Sequence, residues 1–299
     1  MTIYDEISVN RRKTGLIIVI FFSLIIFLGY ALGLLYGNEY FGLILAFFIG
    51  LLYFLFSYYA GTSTILAMSK AKEATKPEYT HLINTVEGLA IAAGLPKPPK
   101  VYVIEDSALN AFATGRSAEH AAITVTTGLL KKMNKLELEG VLAHELSHIK
   151  NYDIRVMMLA AVMVGLVVLL SDFFLRSFLW GGKQGKKEGN AGSVLFILVG
   201  IVLAVLAPLV GELMRLAISR KREFLADASG ALLTRYPKGL ADALRKIKGD
   251  PDPLVDSANK ATASLFISIP FRRDHPSWLQ SLFSTHPALE ERIKRLEGM

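Results

Sequence analysis

The chain has 299 residues, 52% of them hydrophobic and only 20% charged, with no cysteine and a formal net charge of +7; its mean hydropathy is +0.41. Such a composition excludes a disordered chain, which needs low hydrophobicity and high charge. The lack of thiols excludes a disulfide scaffold and a cysteine nucleophile, and fits a reducing compartment.

The apolar residues come in runs. Gly15 to Gly37 is 23 residues without a charge, and Tyr40 to Ser69 adds 30 more, of which Phe41 to Ala60 is the most apolar part. A bilayer core of about 30 Å needs ~20 helical residues, so both runs can span it, over about residues 15–37 and 41–60. A cleaved signal peptide is disfavoured for the first run. It exceeds the usual ~7–15 apolar residues, no A-x-A site follows, and a second run starts almost at once. Arg11, Arg12 and Lys13 precede the first run, whereas the Asn38–Glu39 turn carries no basic residue. That asymmetry places the N-terminus in the cytoplasm.

Further along, Val101-Tyr102-Val103-Ile104 and Ala122-Ile123-Thr124-Val125-Thr126 are short and β-branched and read as strands. Ala111 to Gly115, between them, has mostly small side chains and would form an edge or rim. Such an edge can pair with an extended peptide. The alternative is a paired inner strand.

Asn134-x-x-Glu137 has the pattern of a helix N-cap with its reciprocal partner. Leu138, Val141, Leu142 and Ile149 follow at helical spacing. This helix carries His144-Glu145-Leu146-Ser147-His148, an H-E-x-x-H. Chance would produce that string about 0.006 times in a chain with six His. On a helix the two imidazoles lie one turn apart on one face and can take adjacent corners around a tetrahedral zinc. Glu145 is then placed to reach a metal-bound water. The bland alternative is a pair of half-buried histidines capping a helix near a membrane.

Two more apolar runs follow. Val156 to Ser171 is 16 residues long, and it reaches a span's length only if Asp172 and Arg176 sit at the interface. Gly189 to Gly211 is 23 uncharged residues. With four spans, 29 of the 33 Lys and Arg fall on one side of the membrane, so the positive charge is largely topological. The loop between these runs carries Lys183, Lys186 and Lys187, which fits the rule poorly. No zinc knuckle, RNP-type string or basic aromatic helix points to nucleic acid.

A catalytic zinc normally has three protein ligands. Glu223 in Arg222-Glu223-Phe224-Leu225-Ala226-Asp227 is the candidate third ligand, and Asp227 at i+4 can take the free ring N–H of a ligand histidine. His275 and His286 are rivals for the third place. Four prolines between Asp250 and His286 predict long loops there.

Taken together, the chain resembles the HtpX-type membrane zinc metalloproteases, relatives of the CAAX prenyl endoproteases. The likeness rests on the basic N-terminus before two spans, Ala92-Ala93-Gly94-Leu95-Pro96 and Asn110-Ala111-Phe112-Ala113-Thr114-Gly115. It continues through His144–His148, the second hydrophobic hairpin, Ser219 to Asp227, and Leu282 to Pro287 with Arg292-Ile293. The resemblance implies His144, His148 and Glu223 as ligands of one Zn²⁺ per chain and Glu145 as catalytic residue. Asp227 would stand behind a ligand, with Asn110, Ala111, Phe112 and Ala113 on the substrate side. His286 is the candidate oxyanion donor; the rival reading is that His286-Pro287 only begins a final helix over 287–296.

The expected fold class is α+β: a multi-pass helical membrane protein carrying a zincin domain of gluzincin type, mostly α with a small β-sheet. Residues 1–60 form a membrane hairpin, 61–153 the first part of the catalytic domain, 154–212 a second hairpin (about 154–175 and 191–211), and 213–299 the second part. The expected activity is peptide-bond hydrolysis in the cell membrane, with the active site on the cytoplasmic side. Its partners are polypeptide substrates, membrane proteins among them, and the lipid bilayer, and no nucleic acid. The alternatives are a CAAX-type prenyl-peptide endoprotease and a non-catalytic zinc-binding membrane adaptor.

Overall fold

The computed structural model describes residues 3–35, 37–163, 220–252, 265–267 and 287–299. The second hydrophobic hairpin beyond residue 163, the Asp172–Arg176 pair, His275 and His286 lie outside the described residues.

The first two helices, α1 (Ile3–Leu35) and α2 (Glu39–Met68), form an antiparallel hairpin. Gly37 takes φ +74° in the connection, and Asn38 caps α2 by accepting from the Phe41 amide at 3.0 Å. Phe21 stacks on Tyr53 and Phe22 meets Phe47 and Phe54. Nearer the tip the backbones touch: a Cβ on Gly29 would lie 2.2 Å from that of Ala46, and one on Gly42 would lie 2.3 Å from the Gly29 carbonyl. Helices in lipid approach through small residues of this kind, because no hydrophobic force drives them together. Among the described residues, α2 is the one helix long and apolar enough to cross a membrane. Its outer face exposes Phe41, Phe48, Leu52 and Phe56, and contiguous apolar surface of this kind marks a protein or membrane contact. The helix runs unbroken past Ala60 to Met68.

Beyond it the described chain is mostly helical with a small mixed sheet, which agrees with the α+β class at that level. The strands β1 (Lys72–Glu73), β2 (Lys100–Ile104), β3 (Ala111–Gly115) and β4 (Ala121–Thr126) lie in the order β1-β2-β4-β3. β2 and β4 are parallel, with Val101 opposite Ile123; β3 returns antiparallel on β4, with Phe112 opposite Thr124. Among the described residues β3 is therefore an edge. The Thr126 amide donates to the Asn110 carbonyl at 3.0 Å. By the alternation of an antiparallel ladder, Phe112 then bonds to β4 while the backbone groups of Ala111 and Ala113 face outward.

Six more helices, α3 to α8, surround the site among the described residues. α3 (Lys76–Ala93) starts with Pro77 and ends at Gly94, which takes φ +72° as a left-handed cap. α4 (Thr127–Lys132) follows β4, and α5 (Lys135–Lys150) begins with a full capping box between Asn134 and Glu137. α6 (Arg220–Thr234), α7 (Pro237–Gly249) and α8 (Leu289–Glu297) pack around it. α5 lies at the centre, touching α3, α6, α7, β3 and β4. From Gly140 to Ile149 every one of its residues is buried.

Two glycines set the distance between α5 and α7. A Cβ on Gly140 would fall 2.6 Å from the Leu240 amide nitrogen, and one on Gly239 would fall 2.5 Å from the Leu136 carbonyl. Gly140→Ala must therefore push α7 outward, with an expected loss of about 1–3 kcal/mol. Thermal denaturation of the purified variant should show a lowered midpoint; an unchanged midpoint would mean that this contact relaxes freely.

Candidate active site

Burying a helix on every side obliges each polar side chain on it to find a partner. His144, Glu145 and His148 are all under 5% exposed. His144 and His148, four apart on α5, stand with their rings perpendicular at 4.7 Å. The facing helix α6 carries Glu223, Asp227 and Gly230 along one stripe. Gly230 is the point of closest approach: a Cβ there would meet the His144 amide nitrogen at 3.0 Å and the Ala143 carbonyl carbon at 3.2 Å. That contact brings the two carboxylates within reach of the imidazoles.

Each histidine is anchored from behind. His144 Nδ1 lies 3.0 Å from Asp227 Oδ1, and His148 Nδ1 lies 2.9 Å from Asp153 Oδ2. With both Nδ1 atoms against carboxylates, the two Nε2 atoms face each other across 3.2 Å. Glu223 adds oxygens 3.5 Å from His148 Nε2 and 3.7 Å from His144 Nε2. Three electron-pair donors facing one point call for a cation among them, a shared proton or a metal ion. A tetrahedron with metal bonds of about 2.0–2.1 Å has edges of about 3.3 Å, close to all three separations. His144, His148 and Glu223 thus form a buried cluster able to hold a metal ion, and their donor set fits zinc.

Charge leads to the same conclusion. Arg292 is fully buried and grips Asp227 with a two-pronged fork, Nε to Oδ2 at 2.9 Å and a terminal nitrogen to Oδ1 at 2.7 Å. Its other terminal nitrogen lies 3.4 Å from Glu223. Arg222, also buried, reaches Asp153 at 3.3 Å. Four buried carboxyl groups (Glu145, Asp153, Glu223, Asp227) face these two guanidiniums, an excess of acidic groups that suits a bound cation. Burial opposes ionisation of Asp227, but Arg292 and His144 prevail and lower its pKa. Glu145 has its pKa raised by burial, against the nearby imidazoles.

Of the residues singled out in the sequence, the structure thus brings together His144, Glu145, His148, Glu223 and Asp227. Asn110 is buried at the start of β3, its side-chain oxygen accepting from the Ala111 amide at 3.1 Å. Phe112 is packed edge-on against Phe266 at 4.9 Å, and the Ala111 carbonyl accepts from the Ile267 amide at 3.0 Å. Ala113, also buried, is the next outward-facing residue of that edge. Two residues escaped the sequence reading. Asp153 lies just past the motif helix, after Tyr152, whose φ of +61° folds the chain back. Arg292 was noted only within a string and given no role. In Asp153 the usable signal was an acid five residues after a ligand histidine; for Arg292 the sequence held none beyond its place in that string.

Residues 77–299 match the model of Peptidase family M48. A Protease HtpX homolog of Dictyoglomus turgidum is 46% identical over 298 residues, covering 100% of this chain and 95% of the relative. The homolog of Thermoanaerobacter pseudethanolicus is 44% identical over 300 residues, covering 100% of this chain and 98% of the relative. Among solved structures, the crystal structure of S. mikatae Ste24p matches with a TM-score of 0.52 and 21% identity over 91% of this chain. The chain spans 62% of that protein's length, and the likeness is one of fold.

His148 provides a test. Burial disfavours its charged form, yet the hydrogen bond to Asp153 and the carboxylates of Glu223, Asp153 and Glu145 push its pKa up to about 9. A pKa raised above the ordinary ~6.5 contributes stability that is complete below about pH 6.5 and lost as pH rises through about 9. Metal must displace that proton, so its affinity should climb over the same window in which the metal-free protein softens. Asp153→Asn should flatten both trends and weaken metal binding about 10–100-fold. Melting curves and chelator competition across that range check this; parallel instead of opposed trends would count against it.

Proposed function

The chain belongs to peptidase family M48, and we propose that it is a membrane-bound, zinc-dependent endopeptidase that cleaves polypeptides with Glu145 as its general base. The observation that carries this reading is the convergence of His144, His148 and Glu223 on one point, with a second buried carboxyl group, Glu145, one residue from a ligand. Three protein ligands are the number a catalytic zinc uses, leaving one corner open. When bound, zinc lowers the pKa of water to about 7 and offsets charge on the scissile carbonyl oxygen.

The remaining chemistry belongs to the chain. Glu145 accepts the proton of the attacking water and passes it to the departing amine. Its raised pKa suits both steps, because an acid–base group works best near the operating pH. Asp227 and Asp153 hold the two imidazoles in the tautomer that points Nε2 at the metal. Arg292 keeps Asp227 ionised and fixes its orientation. His286 is proposed as the donor to the carbonyl oxygen on the strength of its place in the sequence.

An extended substrate would join the outer edge of β3 by main-chain pairing, with Asn110, Ala111, Phe112 and Ala113 along its path. Ala113 would carry that pairing, since the Ala111 carbonyl already accepts from Ile267. We place the protein in the cell membrane as a multi-pass protein with its active site on the cytoplasmic side. The lipid-facing surface of α2 and the Lys/Arg asymmetry support that topology. Substrates would then include membrane proteins, whose chains come within reach of a site tethered to α2.

Casein cleavage by detergent-purified, zinc-loaded protein tests the assignment. Glu145→Gln should hold zinc in equal amount and lose activity by about 10²–10⁴-fold. Comparable turnover by the variant at matched zinc content would remove Glu145 from this role.

A further inference from the structure

A second site lies apart from the metal ligands, where α2 leaves its apolar stretch and meets the sheet. A cavity of about 300 Å³ is walled on one side by Tyr59, Thr62 and Ser63 and on the other by Lys97, Lys100 and Arg116. Resting on the reading of α2 as a membrane span, we propose that this cavity binds the phosphate of an anionic phospholipid headgroup.

Depth is the first argument. Phe41 to Ala60 makes about 30 Å of helix, the thickness of the hydrocarbon core. Thr62 and Ser63 fall within the next turn, at headgroup level. Tyr58 and Tyr59 stand at the boundary, where tyrosine is enriched.

Chemistry is the second. The cavity offers Arg and Lys donors together with hydroxyls. Lys100 is paired with Glu73 at 3.0 Å, but among the described residues no carboxylate forms an ion pair with Lys97 or Arg116. The wall also holds one acidic side chain, Glu119, which the Ser117 hydrogen bond keeps ionised, so the three cationic side chains outnumber it. Arg116 is also pre-positioned. Its guanidinium lies 5.1 Å from the centre of the Tyr59 ring, and its carbonyl accepts from Arg155 Nε at 2.6 Å. A stacked, planar fork loses little freedom on taking up phosphate.

The third argument selects a lipid over free phosphate. Leu52, Phe56, Tyr59 and Ser63 follow one another at helical spacing, so they form a single stripe along α2. Leu52 and Phe56 are exposed, at 67% and 54%. A headgroup in the cavity would leave its acyl chains lying along that apolar stripe.

The test uses the full chain in nanodiscs of phosphatidylcholine alone or with phosphatidylglycerol. Co-migration with the disc checks the membrane reading separately. Phosphatidylglycerol should raise the melting midpoint by about 2–4 °C. Lys97→Gln and Arg116→Gln should each lose more than half of that rise, while Lys131→Gln, at an exposed position of α4, keeps it. Lys97 is exposed, so its variant carries the test should Arg116→Gln fold poorly. Equal midpoints in both lipids, or an undiminished rise in the Lys97 variant, would overturn the proposal. So would a full rise in phosphatidylcholine discs given only inorganic phosphate.

Discussion

Donor atoms gathered on one point inside a protein set the terms for the rest of this structure. Two imidazole nitrogens 3.2 Å apart with a carboxylate oxygen beside each need a cation among them, a proton or a metal ion. They are held by a surrounding framework. Two aspartates fix the imidazole tautomers, two buried arginines hold the aspartates, and a glycine lets α6 press against α5. Removing one member of a buried charged network leaves its partner without compensation, which typically costs several kcal/mol. The framework is therefore stiff where a catalytic site needs it to be, and its energy is recovered when a cation fills the centre.

Different parts of this framework were legible to different degrees. The capping box at Asn134 and Glu137, the four-residue spacing of the histidines and the i,i+4 carboxylates of α6 are local patterns, with periodicity set by the helix itself. The strands at 101–104, 111–115 and 122–126 announced themselves through β-branching or small side chains between turn residues. Their order did not. The small side chains of 111–115 pointed to the edge that β3 takes, but nothing in the residues says that β2 and β4 lie parallel, because pairing is settled by packing between distant segments. The two-residue strand β1 is too short to carry any periodic signal. Arg292 is the plainest case: its partners Asp227 and Glu223 lie more than 60 residues earlier, and an arginine in a charged helix gives no hint of burial. Asp153 was hidden by the left-handed turn at Tyr152, which a sequence reading does not foresee for tyrosine.

The membrane helix and the site are physically continuous. After Tyr152 the chain enters a helical segment over 153–163 that lies against α2. A Cβ on Gly61 would come 3.2 Å from the Met158 sulfur, and the Tyr53 hydroxyl donates to the Val162 carbonyl at 2.8 Å. Asp153 opens this segment, so the residue that orients His148 is attached directly to the wall of α2. The site is thus built against α2 and not carried on a flexible linker.

The separation of Arg292 from the histidines also has a consequence in time. Roughly 140 residues lie between His148 and Arg292, and a ribosome adding about 5–20 residues per second takes some 7–30 s to cover them. Throughout that interval the nascent chain holds its two histidines without the clamp on Asp227. The buried cluster around His144 and Asp227 is therefore assembled only once the segment that carries Arg292 has been made.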